Sequence, residues 1–254
     1  MADDLGNFVD GYTLALGNET DGRTLALGNS AGDLVDSPIT TYYKEVIDEE
    51  LLAANECVAF HSTWETAGTQ AIDVSGKGNH GTYVDSPTLG EDPIAEGFLH
   101  SMGGTDGYLD LSTSIDISDD FTIAGFAEPA SGFGKGLVRI GGGSNYIGIF
   151  QSSGNLRLAE NNGTSDSFFA VSQPASAFGW CMRRAGDSLE MWIDGASVGT
   201  LDISGQVYAA TTAIAIKTWG HVGVGNWGNR VQHHGTFDAA LTDAQCARLS
   251  EGTV

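Results

Sequence analysis

Basic residues are scarce in this chain: 11 Lys+Arg stand against 33 Asp+Glu in 254 residues, a formal charge of −22. Such a charge repels phosphate backbones, and Arg23, Arg139, Arg157, Arg183, Arg184, Arg230 and Arg248 are scattered rather than gathered into a face. Nucleic acid is therefore not an expected partner. Long apolar runs are missing too. None approaches the ~18 residues that span a bilayer, so no membrane partner is expected. The first ten residues are acidic where a secretory signal is basic and then apolar, which predicts synthesis in a cytosol. Cysteine is limited to Cys57, Cys181 and Cys246, too far apart in sequence for the spacing of a zinc site or redox pair, and these read as small buried hydrophobes.

What is abundant is glycine, 36 residues, about twice its usual ~7% share, while only 17% of the chain is charged. That combination predicts many turns in a folded protein rather than a polar disordered tract. Near the start, Asp10-Gly-Tyr-Thr-Leu-Ala-Leu-Gly-Asn18 and Asp21-Gly-Arg-Thr-Leu-Ala-Leu-Gly-Asn29 agree at eight of nine positions with a period of 11. Each copy reads as turn, short strand, turn. Two copies are too few to bury a core by stacking, so residues 1–40 read as an extended arm. Leu14, Leu16, Leu25 and Leu27 are its candidate partner-binding residues, suited to strand addition at a sheet edge elsewhere. Pro38 ends the arm, and the helical spacing of Tyr43, Val46, Ile47, Leu51 and Ala54 predicts a connector helix within 41–56.

From residue 57 to 254 short extended runs alternate with glycine and asparagine. The clearest hairpin is Ser188-Leu-Glu-Met-Trp-Ile193, then Asp194-Gly195, then Ser197 to Ile203, because Asp-Gly supplies the positive backbone dihedrals of a primed turn. Leu241 to Leu249 closes the chain as a helix, with Thr242 and Gln245 at capping-box spacing. Many strands and few helices predict an all-β, two-sheet antiparallel sandwich with an N-terminal arm and short helices.

Asp73-Val-Ser-Gly-Lys-Gly-Asn-His-Gly-Thr-Tyr83, Trp180-Cys-Met-Arg-Arg184 with Leu189 to Gly195, and the closing Gly235 to Leu249 segment resemble the laminin-G-like, concanavalin A-like jelly-roll modules. The resemblance runs in order over about residues 55–250. It implies two antiparallel sheets face to face, and it covers lectins, adhesion modules, glycosidases and virion proteins of tailed bacteriophages alike. In some relatives the region of Asp73 and Asn79 binds calcium. These two are the candidate calcium ligands, since a glycine-rich loop can aim hard oxygen donors inward. The rival reading has both residues hydrogen-bonding their own loop.

The paired acids of a glycosidase, E-x-D-x-E on one strand, are absent, and Gly143-Ser-Asn lacks the G-x-S-x-G elbow of a serine nucleophile. His233 and His234 are adjacent and would face opposite ways on a strand. The protein is thus read as no enzyme. Trp219 and Trp227, set among glycines, are the candidate glycan-stacking residues. Three functional expectations follow, in order. The first is a structural protein of a bacteriophage virion, a capsid decoration protein anchored through its arm to the major capsid or another virion protein. It would be assembled in the host cytoplasm, displayed on the virion surface, and self-associated, as trimers by resemblance. The second is a tail-fibre or receptor-binding module for host glycans, and the third a divergent glycanase.

Overall fold

Alternation of apolar and polar residues over five to ten positions, broken by glycine turns, makes strands, and strands dominate the computed structural model. It describes residues 8–9, 12–16, 25–29, 57–61, 65–73, 75, 77–92, 94, 101–104, 107–114, 116–142, 145–208, 213–216 and 225–251. The expected connector helix at 41–56 lies outside these residues. The chain divides into two compact units, Met1–Glu49 and Glu50–Val254.

The first unit contains β1 (Phe8–Val9), β2 (Tyr12–Leu16) and β3 (Leu25–Asn29), an antiparallel sheet in that order. Both repeat copies are strands, as their sequence predicts. They pair with each other, Leu14 opposite Leu27 and Leu16 opposite Leu25, with Ala15 opposite Ala26. The duplication explains the register: two copies of Leu-Ala-Leu laid antiparallel place like opposite like.

The second unit begins with β4 (Cys57–His61), β5 (Gln70–Ala71), β6 (Gly81–Val84), β7 (Thr88–Glu91), β8 (Ser101–Gly103), β9 (Tyr108–Ser114) and β10 (Phe121–Ala127). It continues through β11 (Phe133–Gly142), β12 (Asn145–Ser152), β13 (Asn155–Asn162), β14 (Asp166–Ser172), β15 (Phe178–Ala185) and β16 (Ser188–Ile193). It ends with β17 (Ala196–Asp202), β18 (Ala213–Ile216), β19 (Gly225–Asn226), β20 (Val231–Phe237) and the helix α1 (Asp243–Ser250). An eight-stranded sheet runs β17-β16-β15-β10-β20-β8-β7, with β4 on β20. A nine-stranded sheet runs β14-β13-β12-β11-β18-β9-β6-β5, with β19 on β11. The inner faces enclose one core that takes Ile123, Trp180, Met182 and Met191 from the first sheet and Ile140, Ile149, Leu158 and Leu111 from the second. This is a two-sheet antiparallel β-sandwich.

Every residue of β10 is buried, and so is all of β15 except Ala185, because α1 covers their outer face. The helix starts where the capping box places it: the Thr242 side chain accepts from the Gln245 amide, and the Gln245 side chain accepts from the Thr242 amide at 2.8 Å. Its approach is close enough to demand glycine at 179, where a Cβ would stand 2.1 Å from the Ser250 carbonyl oxygen. The β16–β17 turn has Asp194 at φ 47° and Gly195 at φ 77°, the primed geometry that Asp-Gly favours. The Asp194 carboxylate also accepts from the Gly179 amide at 2.9 Å, tying the turn to β15.

Candidate functional site

The Asp73 loop is a knot of backbone donors. Asp73 is 5% exposed. Its Oδ1 accepts from the amides of Phe60 and Ser75, each at 2.9 Å, and its Oδ2 accepts from the Asn79 amide at 2.8 Å. Asn79 spends its side-chain amide on the Val58 carbonyl at 2.7 Å, and its own carbonyl accepts from His61 Nε2 at 3.0 Å. Burial pushes the Asp73 carboxyl up, but the Ser75 hydroxyl and the three amides outweigh it and hold it below its ordinary value of 3.8. Three N–H groups aimed at one carboxylate leave too little oxygen to surround a calcium ion, and the donor set does not fit the metal. Among the described residues no group of three or more His, Cys, Asp or Glu is gathered as metal ligands would be. What the loop does is pin β4 to the segment before β6. His61, fully buried and with Nδ1 unpartnered, completes the knot; burial holds its imidazole below the ordinary 6.5.

Trp227 is not a stacking surface. It is fully buried in the core, its indole N–H donates to the Glu128 carbonyl at 2.9 Å, and it meets Phe178 edge-on at 6.5 Å. A sugar needs an exposed ring face, and Trp227 has none. Trp219 lies outside the described residues, as do the side chains of His233, His234, Leu14, Leu16, Leu25 and Leu27.

Several acids among the described residues of the sandwich are engaged structurally. Glu190 and Asp243 pair with Arg183, Glu128 pairs with Arg230, and Glu65 takes the Tyr83 hydroxyl at 2.7 Å. Glu160 has a carboxyl pushed up by burial and lowered in part by the hydroxyls of Ser167 and Tyr208, yet it is fully buried, where no substrate reaches it. A shallow cleft of about 180 Å³ lies among Thr66, Thr69, Tyr83, Ser86 and Leu89, smaller than a drug-sized pocket. None of this places two carboxylates across a cleft.

A different surface carries unspent chemistry. In β13, Leu156 and Leu158 enter the core, so Arg157 between them faces outward; in β14, Phe169 and Val171 pack on the core, so Phe168 faces outward too. Arg157 stands opposite Phe150 on one side and Ala170 on the other. Its guanidinium lies 4.5 Å from the Phe168 ring centroid and 5.9 Å from that of Phe150. Phe168 is 51% exposed; among the described residues it shares only with Val207 the position of a large exposed hydrophobe. Farther along the same face Arg139 lies over Tyr146 at 5.5 Å, and Tyr146 donates its hydroxyl to Asp166 at 3.2 Å. The result is a shelf on the outer face of the nine-stranded sheet: one open aromatic ring with a cation laid on it, bordered by Ala159 and Ala170. Sequence reasoning missed it. The available signal was the alternation of Asp166 to Ser172, which leaves a phenylalanine on the solvent side.

No protein-family model matches the chain, and no curated protein matches it in sequence. Solved structures match it in fold. Domain 4 of AbnA, a GH43 extracellular arabinanase from Geobacillus stearothermophilus, in complex with arabinotriose, superposes with TM-score 0.60 at 12% identity, over 77% of this chain and 98% of that one. The binding domain of Paraclostridial Mosquitocidal Protein 1 gives TM-score 0.57 at 14% identity, over 78% of this chain and 52% of that one. The botulinum neurotoxin serotype D binding domain gives 0.57 at 8% identity, over 76% and 50%. The chain therefore spans about half the length of these two toxin binding domains. At such identities the likeness establishes fold alone, and the fold is that of β-sandwiches found in binding domains.

Proposed function

We propose that the sandwich is a non-catalytic recognition module that binds saccharide on the outer face of its nine-stranded sheet. The observation that carries this reading is the half-exposed Phe168 ring, with the Arg157 guanidinium beside it, on the outer face of the nine-stranded sheet. The C–H face of a sugar stacks on such a ring while keeping its hydroxyls wet. Support of a weaker kind comes from the arabinanase domain that shares the fold and whose structure holds arabinotriose. Phe168→Ala is expected to weaken binding to an oligosaccharide panel by roughly three- to tenfold, the worth of one stacking contact, with little change in melting temperature. A wild-type protein that binds no saccharide on that panel overturns the reading.

A second reading, attachment to a bacteriophage particle as a decoration protein, draws on the duplicated segment. Its two copies pair in register as a hairpin, and the paired sheet leaves β1 and β3 as edges able to meet a shell protein. Deleting residues 2–36 is expected to abolish co-sedimentation with assembled shells while the sandwich unfolds at the same temperature. Attachment retained after the deletion counts against this role.

A further inference from the structure

Arg157 has the wrong surroundings for an arginine whose role is structural. The chain carries three acids for every base, 33 against 11, so a base beside an acid is the ordinary outcome. Arg183 and Arg230 show it, each paired with a carboxylate, and Arg184 donates to the carbonyls of Ile117 and Gly186. Arg157 makes no ion pair and no hydrogen bond among the described residues, and its Nε is buried without a partner. It is held only by the rings of Phe168 and Phe150. Stacking fixes the plane of a guanidinium while leaving its terminal N–H groups to bind a planar anion bidentately.

We propose that the Arg157–Phe168 shelf selects a hexuronate-containing oligosaccharide, its carboxylate taken by Arg157 and its pyranose ring laid on Phe168. The inference rests on the saccharide reading above and names its ligand class. A hexuronate carries the carboxylate one bond outside its ring, at the ring's edge. A ligand resting against the exposed part of Phe168 is within reach of the Arg157 guanidinium, whose centre lies 4.5 Å from the ring centroid. The exposed Ala170, opposite Arg157, is a small side chain beside the stack. Asp166, the nearest acid along β14, is engaged by the Tyr146 hydroxyl and the Asn161 amide rather than by Arg157. The remaining negative charge of the molecule is screened over about 8 Å at physiological salt, so the local cation decides the preference.

The test uses the full chain and four probes: trigalacturonate, its methyl ester, sialyllactose and arabinotriose, by isothermal titration in 0.15 M salt. The wild type is expected to bind trigalacturonate at least tenfold more tightly than the ester. Arg157→Gln is expected to erase that difference by weakening trigalacturonate far more than the ester, and Arg157→Lys to retain part of it, since it keeps charge without the planar fork. Equal binding of acid and ester by the wild type overturns the inference and leaves the saccharide reading standing. An acid preference that survives Arg157→Gln, or a stronger preference for sialyllactose, also overturns it. No binding of any probe overturns both.

Discussion

Trp227→Ala is expected to lower the stability of the sandwich by about 3–5 kcal/mol, the cost of emptying a large buried aromatic site. The indole is fully buried, and its removal leaves a cavity against Phe178 that strands on both sides cannot close without shifting. It also strands the Glu128 carbonyl, whose partner is the indole N–H at 2.9 Å. That carbonyl belongs to a short junction where the Glu128 amide donates to the Arg230 carbonyl and the Arg230 Nε donates to the Glu128 carboxylate at 2.9 Å. The loss therefore spreads beyond packing to the connection between the end of β10 and the start of β20. Urea unfolding checks it: the midpoint falls while the slope stays constant, and saccharide affinity below the transition is unchanged. The opposite pattern, full stability with lost binding, is what a surface platform at Trp227 would produce, and its appearance would refute the buried assignment.

The difference between Trp227 and Phe168 shows which parts of such a chain can be read from residues alone. The β16–β17 hairpin and the cap of α1 are local: Asp194-Gly195 sets its turn, and Thr242 with Gln245 closes the first helical turn, over spans of two to four residues. The two-sheet architecture is legible because alternation repeats in strand after strand. A tryptophan flanked by glycines carries no such local instruction. Trp227 is buried because the segment leading into β20 passes beneath the end of β10, a relation between residues about a hundred positions apart. The shelf is hidden for a related reason. Phe150, Arg157 and Phe168 come from three strands, and only the register Phe150 opposite Arg157, with Ala159 opposite Phe168, brings them together. A one-residue slip in either hairpin would turn one member to the other face. Asp73 lies between these cases. Its reach to the Ser75 amide is a turn habit readable in the sequence, whereas its bonds to Phe60 and Asn79 depend on how the loop folds back against β4.

Asp73→Ala is expected to cost at least about 3 kcal/mol, because charge-assisted hydrogen bonds are each worth about 1.5–3 kcal/mol and one buried and two part-buried amides lose their acceptor together. The same loop makes the fold sensitive to acid in two stages, with signs that can be worked out. His61 is held below 6.5 by burial, so the unfolded chain binds its proton first; stability is intact above pH 6.5 and declines as the pH falls below it. Asp73 is held below 3.8 despite its burial, so its contribution is intact above pH 3.8 and is lost as the pH falls through the lower folded value. Thermal melts between pH 8 and pH 3 should therefore show a first decline beginning near pH 6.5 and a second below 3.8. His61→Gln should remove the first and Asp73→Asn the second. Calcium separates this account from a metal-binding loop: millimolar calcium followed by a chelator should leave the wild-type melting temperature unchanged. A rise of several degrees with calcium, reversed by the chelator and absent in Asp73→Ala, would mean that the carboxylate serves an ion rather than the three amides now directed at it.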